Sequence, residues 1–178
     1  DKDTSVLVLG EINRWYHAVG GTAVQAYTQP NGVINWQSSR AAFKEHLAAK
    51  FGFHRGRAGD KTISREIMNA TPQQQATFLS GLFSSDGTIG CYNNKWHIGL
   101  SSASKDILVK TKSILKAFGI ESNVVFGETK TRPGFFQGDV RIHDSYSKHL
   151  FAKYIGFSLS TKKYAVLVDL IGTHITTR

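Results

Sequence analysis

The sequence predicts an α+β protein built on antiparallel hairpins and arranged as two related halves. Three observations carry this. From Thr71 onward the hydrophobic periodicity and turn signals run helix, hairpin, helix, hairpin, helix. Almost every predicted helix has its own capping residue or terminating glycine. The segment His46-Leu47-Ala48-Ala49-Lys50-Phe51-Gly52-Phe53 recurs, after a second hairpin, as His149-Leu150-Phe151-Ala152-Lys153-Tyr154-Ile155-Gly156-Phe157. Asp1-Lys2-Asp3 is likewise matched by Ser104-Lys105-Asp106, each time at an offset of 103 or 104 residues. Two matches at one offset with one element order predict a pseudo-two-fold relation.

In the first half, Val6, Leu9, Ile12, Trp15, Tyr16 and Val19 fall near helical spacing, and Gly20-Gly21 ends the helix. Residues 22–28 and 33–37 flank the turn Pro30-Asn31-Gly32, a hairpin signal. Ile34 and Trp36 are expected toward the core, with Val33, Asn35 and Gln37 on the other face. Ala41 to Phe51 forms a second helix closed by Gly52. A basic loop follows, from His54 through Arg55 and Arg57 to Lys61.

Thr71-Pro72-Gln73-Gln74 starts the next helix. Thr71 caps the free N–H groups, Pro72 suits the first helical position and Gln74 completes a capping box. The helix is expected to run from about Pro72 to Ser85. Thr88–Tyr92 and Lys95–Leu100 read as a hairpin around Asn93-Asn94. Ser104 caps an amphipathic helix with Ile107, Leu108, Thr111, Ile114, Leu115 and Phe118 on one face, ended by Gly119. A further hairpin joins Asn123–Thr129 to Phe136–His143 through Arg132-Pro133-Gly134. Asp144 caps a helix ended by Gly156, and Ser160 caps a last one through Lys163, Leu167 and Ile171.

With 178 residues the chain can bury one respectable core or two small ones. Lys+Arg 22 against Asp+Glu 13 gives a net charge of +9, which favours a polyanionic partner. A single cysteine, Cys91, excludes a disulfide framework and a cysteine-based zinc site and suits an intracellular setting. No apolar run is long enough to span a membrane, so no membrane partner is expected. The seven histidines are scattered without the paired spacing of a metal motif.

The stretch Phe78-Leu79-Ser80-Gly81-Leu82-Phe83-Ser84-Ser85-Asp86-Gly87 organises the rest. Phe78, Leu79, Leu82 and Phe83 form an apolar stripe, and Gly81 and Ser85 form a second stripe of small residues where another helix can approach closely. Asp86 stands where the helix stops. Two such helices side by side would bring two carboxylates together, a site for a divalent metal. Taken alone, the stretch also suits an ordinary core helix with a solvated Asp before a terminating glycine.

This decamer resembles the LAGLIDADG motif of homing endonucleases, in the second-motif form found in inteins, and the similarity covers most of the chain. The resemblance implies the LAGLIDADG fold: two pseudo-symmetric halves whose hairpins form a DNA-binding saddle. Residues 1–70 would be a first half incomplete at its N-terminus, because the repeat offset places the counterpart of Asp86 before residue 1. Residues 71–178 would be the second half. It implies that Asp86 is the metal-binding acid, with Ser84 in place of a common non-catalytic Asp. Lys61-Thr62-Ile63-Ser64 matches the family's Lys-x-Ile-Pro except at Ser64, and Ile155-Gly156-Phe157-Ser158-Leu159-Ser160-Thr161-Lys162-Lys163 matches a second lysine segment. Lys61 and Lys163 are therefore the expected catalytic lysines, one per half.

The chemistry suits those residue types. Phosphodiester hydrolysis needs an activated water and stabilised charge on the leaving oxygen. Carboxylates holding Mg²⁺ or another divalent cation supply most of this, and a lysine polarises the water or neutralises the phosphate. Two-stranded ribbons fit the major groove, so Gln25, Tyr27, Asn35, Gln37, Tyr92, His97, Lys130, Arg132, Gln137 and Arg141 are candidate contacts to duplex DNA, with Arg55 and Arg57 on the basic loop. The expected function is site-specific, metal-dependent double-strand cleavage, with a second LAGLIDADG helix as partner through Gly81 and Ser85. The alternative is a non-cleaving DNA-binding, or maturase-like RNA-binding, relic of the family.

Overall fold

The computed structural model describes all residues except 1, 22, 31–33, 38–40, 52–55, 93–94, 130–132 and 176–178. The chain divides into two compact units, Asp1–Phe53 and His54–Arg178. Residues 56–70 fall within the second of these compact units. The physical reason is apolar: Ile63 is buried in the core of the second unit and Ile67 and Met68 pack against it.

The first unit is a helix, a hairpin and a helix: α1 (Lys2–Ala18), β1 (Gln25–Thr28), β2 (Ile34–Gln37) and α2 (Ala41–Phe51). Gly20, at φ 76°, ends α1 as its position in the sequence predicts. Tyr16 and Phe43 meet edge to face, 5.1 Å between centroids, and with Val24 form the buried centre. Gly21 lies against the Tyr16 ring so closely that a Cβ would stand 2.4 Å from it. The Asn13 side chain accepts the Val24 N–H at 2.8 Å, tying the hairpin entrance to α1. The side chains of Ile34 and Trp36, expected in this core, lie outside the described residues.

The second unit contains a one-turn 3-10 helix (Ala58–Asp60), α3 (Arg65–Met68), α4 (Pro72–Asp86), β3 (Gly87–Tyr92), β4 (Lys95–Ser102), α5 (Lys105–Ala117), β5 (Asn123–Glu128), β6 (Phe136–Ile142), α6 (Ser145–Tyr154) and α7 (Thr161–Ile175). The capping box at α4 forms: Thr71 Oγ1 accepts the Gln74 N–H and Gln74 Oε1 accepts the Thr71 N–H at 3.1 Å. Ser104 and Asp144 cap α5 and α6 by accepting the N–H groups of Ile107 and Ser147. After α5, Gly119 at φ 74° lets Ile120 and Gly119 donate back to Leu115 and Lys116, closing the helix.

The two hairpins join through β4 and β6 into one antiparallel sheet of order β3-β4-β6-β5. The period of two then decides the faces. Ile98, Leu100, Val140 and Ile142 point inward, where they pack with Leu79 and Phe83 of α4, Leu108 and Leu115 of α5, and Phe151 and Phe157. Each fully buried side chain of this kind stabilises the fold by about 1.5–3 kcal/mol. The other face carries Tyr92, His97, Gln137, Asp139 and Arg141 and has no layer of the second unit's core upon it. The order of elements from α5 to α6 repeats that from α1 to α2, as the internal repeat predicts.

Candidate active site

The α4 helix reaches its last turn with three faces in different roles. Ala76, Leu79 and Phe83 enter the core. Ser80 and Ser84, four apart and buried, hold the loop that follows α6. Ser158 N–H donates to Ser80 Oγ at 3.0 Å, Ser80 Oγ donates to Ser158 Oγ at 2.7 Å, and Leu159 N–H donates to Ser84 Oγ at 3.0 Å. From the sequence, Ser80 has no role and Ser84 only a match to a non-catalytic position; their spacing of four beside the apolar stripe was the available signal. Gly81 is half-buried, with room for a Cβ 3.8 Å from Leu159, and Ser85 is exposed.

Asp86 ends α4 and Gly87 begins β3. Gly87 has an ordinary φ of −77°, so its glycine is not conformational. A Cβ there would stand 2.4 Å from the Phe83 carbonyl oxygen and 2.8 Å from its Cα. The chain turns from helix to strand too tightly for any side chain, and this turn presents Asp86 to solvent. Among the described residues its carboxylate takes no hydrogen bond and no ion pair.

The two expected lysines sit differently. Lys163 Nζ donates to the carbonyls of Phe83 at 3.2 Å, Ser84 at 2.7 Å and Ser85 at 3.2 Å. It caps the unsatisfied carbonyl end of α4 and offsets the negative pole of the helix. All three of its N–H donors are used. Burial pushes its pKa down from the usual lysine value and the Asp86 carboxylate pulls it partly back. Lys61 is exposed and its ammonium has no partner among the described residues. It shares with Asp86 the lining of an open cleft of about 180 Å³, together with Leu82, Ser101, Ser102 and Ile107.

The backbone at Lys61 is held from α5. Ser104 Oγ donates to the Lys61 carbonyl, Lys110 Nζ donates to the Ile63 carbonyl at 2.9 Å, and Thr62 Oγ1 bonds to both Asp106 and Lys110. Burial raises the Asp106 pKa, but the Thr62 and Lys110 hydrogen bonds and the Lys110 charge outweigh it, so the net shift is downward. Ser64, where the family pattern has proline, caps α3 by accepting the Ile67 N–H at 3.4 Å.

The expected nucleic-acid contacts gather on two surfaces. In the first unit the register pairs Gln25 with Gln37 and Tyr27 with Asn35, so all four lie on one face of the ribbon. In the second unit Tyr92, His97, Gln137 and Arg141 lie on the outer face of the sheet, although the Tyr92 side chain is outside the described residues. Arg57 is exposed, and its N–H donates to the Asp60 carboxylate at 3.1 Å. Arg55, Lys130 and Arg132 lie outside the described residues.

A metal fits only as a shared ligand. Among the described residues no three His, Cys, Asp or Glu side chains come together. Asp86 offers one exposed carboxylate at an open cleft, which suits Mg²⁺, an ion bound through one or two carboxylates plus substrate phosphates. Among the described residues no helix is long and apolar enough to cross a membrane.

Residues 73–156 match the LAGLIDADG-like domain, and this part of the chain belongs to that family. The chain is also similar to proteins named DNA polymerase. It is 30% identical to that of Thermococcus hydrothermalis over 128 residues, 68% of this chain and 7% of the relative. It is 34% identical to that of Thermococcus sp. (strain GE8) over 112 residues, 58% of this chain and 6% of the relative. For Thermococcus litoralis the identity is 36% over 100 residues, 52% of this chain and 6% of the relative. The matches thus span less than a tenth of the length of these relatives.

Proposed function

We propose that the chain recognises duplex DNA and supplies one half of the cleavage centre of a site-specific, Mg²⁺-dependent homing endonuclease, carried in an intein or related mobile element. The observation that carries this is the open cleft whose lining includes both Asp86 and Lys61, with Ser101 of the sheet beside them. The small share of the polymerase relatives that is matched supports an inserted element rather than a polymerase function.

In this reading Asp86 holds the divalent cation together with a DNA phosphate and a carboxylate from a second motif helix. When bound, the cation activates water and neutralises charge on the reacting phosphate. Lys61 donates to a non-bridging phosphate oxygen, whose negative charge grows as the phosphorus is attacked. Lys163 keeps the last turn of α4 rigid, so that Asp86 points into the cleft. The sheet face and the first ribbon hold the duplex, and the net charge of +9 draws it in. The second helix packs at Gly81 and Ser85, in another copy or on another segment.

The test is to incubate the chain with duplex libraries and Mg²⁺, with and without a second LAGLIDADG helix supplied as a fusion or separate chain. The reading expects double-strand cuts at one sequence only when both helices and Mg²⁺ are present. Sequence-selective binding without cutting in the paired form would instead support the relic reading, to which the single carboxylate in the lining of the cleft lends weight.

A further inference from the structure

On the outer face of the sheet, Asp139 stands beside Arg141. Its Oδ2 receives Arg141 NH2 at 2.6 Å and its Oδ1 receives the Ser101 hydroxyl, also at 2.6 Å. Asp139 is therefore gripped from two strands, and it fixes one edge of the guanidinium. The Arg141 side chain is 48% exposed, so this pair adds little to stability. On a surface that meets phosphates an acid is also unfavourable. Neither stability nor bulk attraction accounts for Asp139.

Arg141 lies between Gly99 of β4 and Asn123 of β5, Asp139 lies opposite the exposed Val125, and Gln137 lies opposite Gly127. Beside Gly99 the Thr88 hydroxyl packs so closely that a Cβ would stand 3.1 Å from it. Gly90 faces outward beside His97. A Cβ at Gly90 or Gly127 would meet nothing within 4 Å, and neither residue has a positive φ. Glycine inside a strand costs stability, and where neither packing nor conformation requires it, it marks close approach by something outside the fold. A shallow cavity of about 320 Å³ opens on the Asp139 side of the pair, with Val125, Gly127, Gln137 and Asp139, but not Arg141, in its lining.

Resting on the DNA reading above, we propose that Arg141 reads the O6/N7 edge of one guanine in the major groove, and that Asp139, anchored by Ser101, is the positioning residue that gives it this specificity. One guanidinium nitrogen is occupied by Asp139, and the remaining donors keep the fork that matches guanine. Arg141 fixed in one rotamer loses less freedom on contact than a mobile arginine.

The test is selection from a duplex library with a randomised core, bound at fixed ionic strength by the 178-residue chain and by Arg141→Lys, Asp139→Asn and Asp139→Ala, followed by sequencing. The unaltered chain is expected to prefer guanine at one position by about 10- to 100-fold. Arg141→Lys keeps the charge and should lower that preference to a few-fold while the other positions stay selective. The Asp139 variants should do the same, although each removes a negative charge and so tightens binding to bulk DNA. If guanine preference persists undiminished in Arg141→Lys or in both Asp139 variants, or if selectivity falls equally at every position in Arg141→Lys, the inference is overturned. If the unaltered chain selects no sequence, the inference falls together with the DNA reading.

Discussion

Lys61 and Lys163 were equivalent in the sequence, one lysine for each half, yet their surroundings make them unlike on substitution. Lys163→Met strips three hydrogen bonds from the end of α4. It should destabilise the second unit by about 1–2 kcal/mol, since hydrogen bonds to a charged group are strong but the site is partly solvated. Urea unfolding followed by circular dichroism reads this directly. Lys61→Met removes an exposed ammonium that has no partner among the described residues and should leave the unfolding midpoint where it was, while lowering cleavage more than binding. Equal midpoints for the two variants would contradict the division of labour. Sequence could name both lysines because each stands in a recognisable segment. It could not separate them, since the carbonyls that claim Lys163 come from residues 78 to 80 positions away.

At the scale of elements, the turn from α4 into β3 admits only glycine. Gly87→Ala places a methyl against the Phe83 backbone, which cannot rotate aside. The expected cost is about 1–3 kcal/mol, as for other overpacked sites, with Asp86 displaced. At Gly81 an added Cβ would meet only the flexible Leu159 side chain, so Gly81→Leu begins in open space. It should leave the second unit's stability nearly unchanged and abolish pairing with a second motif helix, visible by sedimentation. Acid should loosen two other elements. The pKa of Asp144, raised by burial but lowered further by its hydrogen bonds with Ser147, ends below its usual value, as does that of Asp106. Below about pH 4 the unfolded chain then binds more protons than the folded one. The stability these carboxylates contribute is present above that range and is lost as pH falls through their lowered native values. Asp144→Asn should therefore shrink the drop in urea midpoint between pH 6 and pH 3. The helices and hairpins were legible because caps, glycine stops and periodicity are local. The union of the two hairpins through β4 and β6 was not, and neither was the short α3, whose four residues carry too little periodicity.

At the scale of the whole molecule, the outward side chains form two polar surfaces, one in each unit, on a chain of net charge +9. Affinity for duplex DNA should fall steeply and log-linearly with salt as counterions are released; a flat dependence would remove DNA as the partner. The most direct measurement is a comparison of cleavage rate with affinity for Asp86→Asn, on the selected duplex, with the second motif helix supplied. The substitution keeps the side chain's size and removes the charge that holds the cation. Cleavage in Mg²⁺ should fall by orders of magnitude, because a metal ion contributes several kcal/mol to such a transition state, while affinity stays within a few-fold. If cleavage survives, or if cleavage and affinity fall together, Asp86 is a structural residue at a helix end and the cleft it shares with Lys61 is not a cleavage centre.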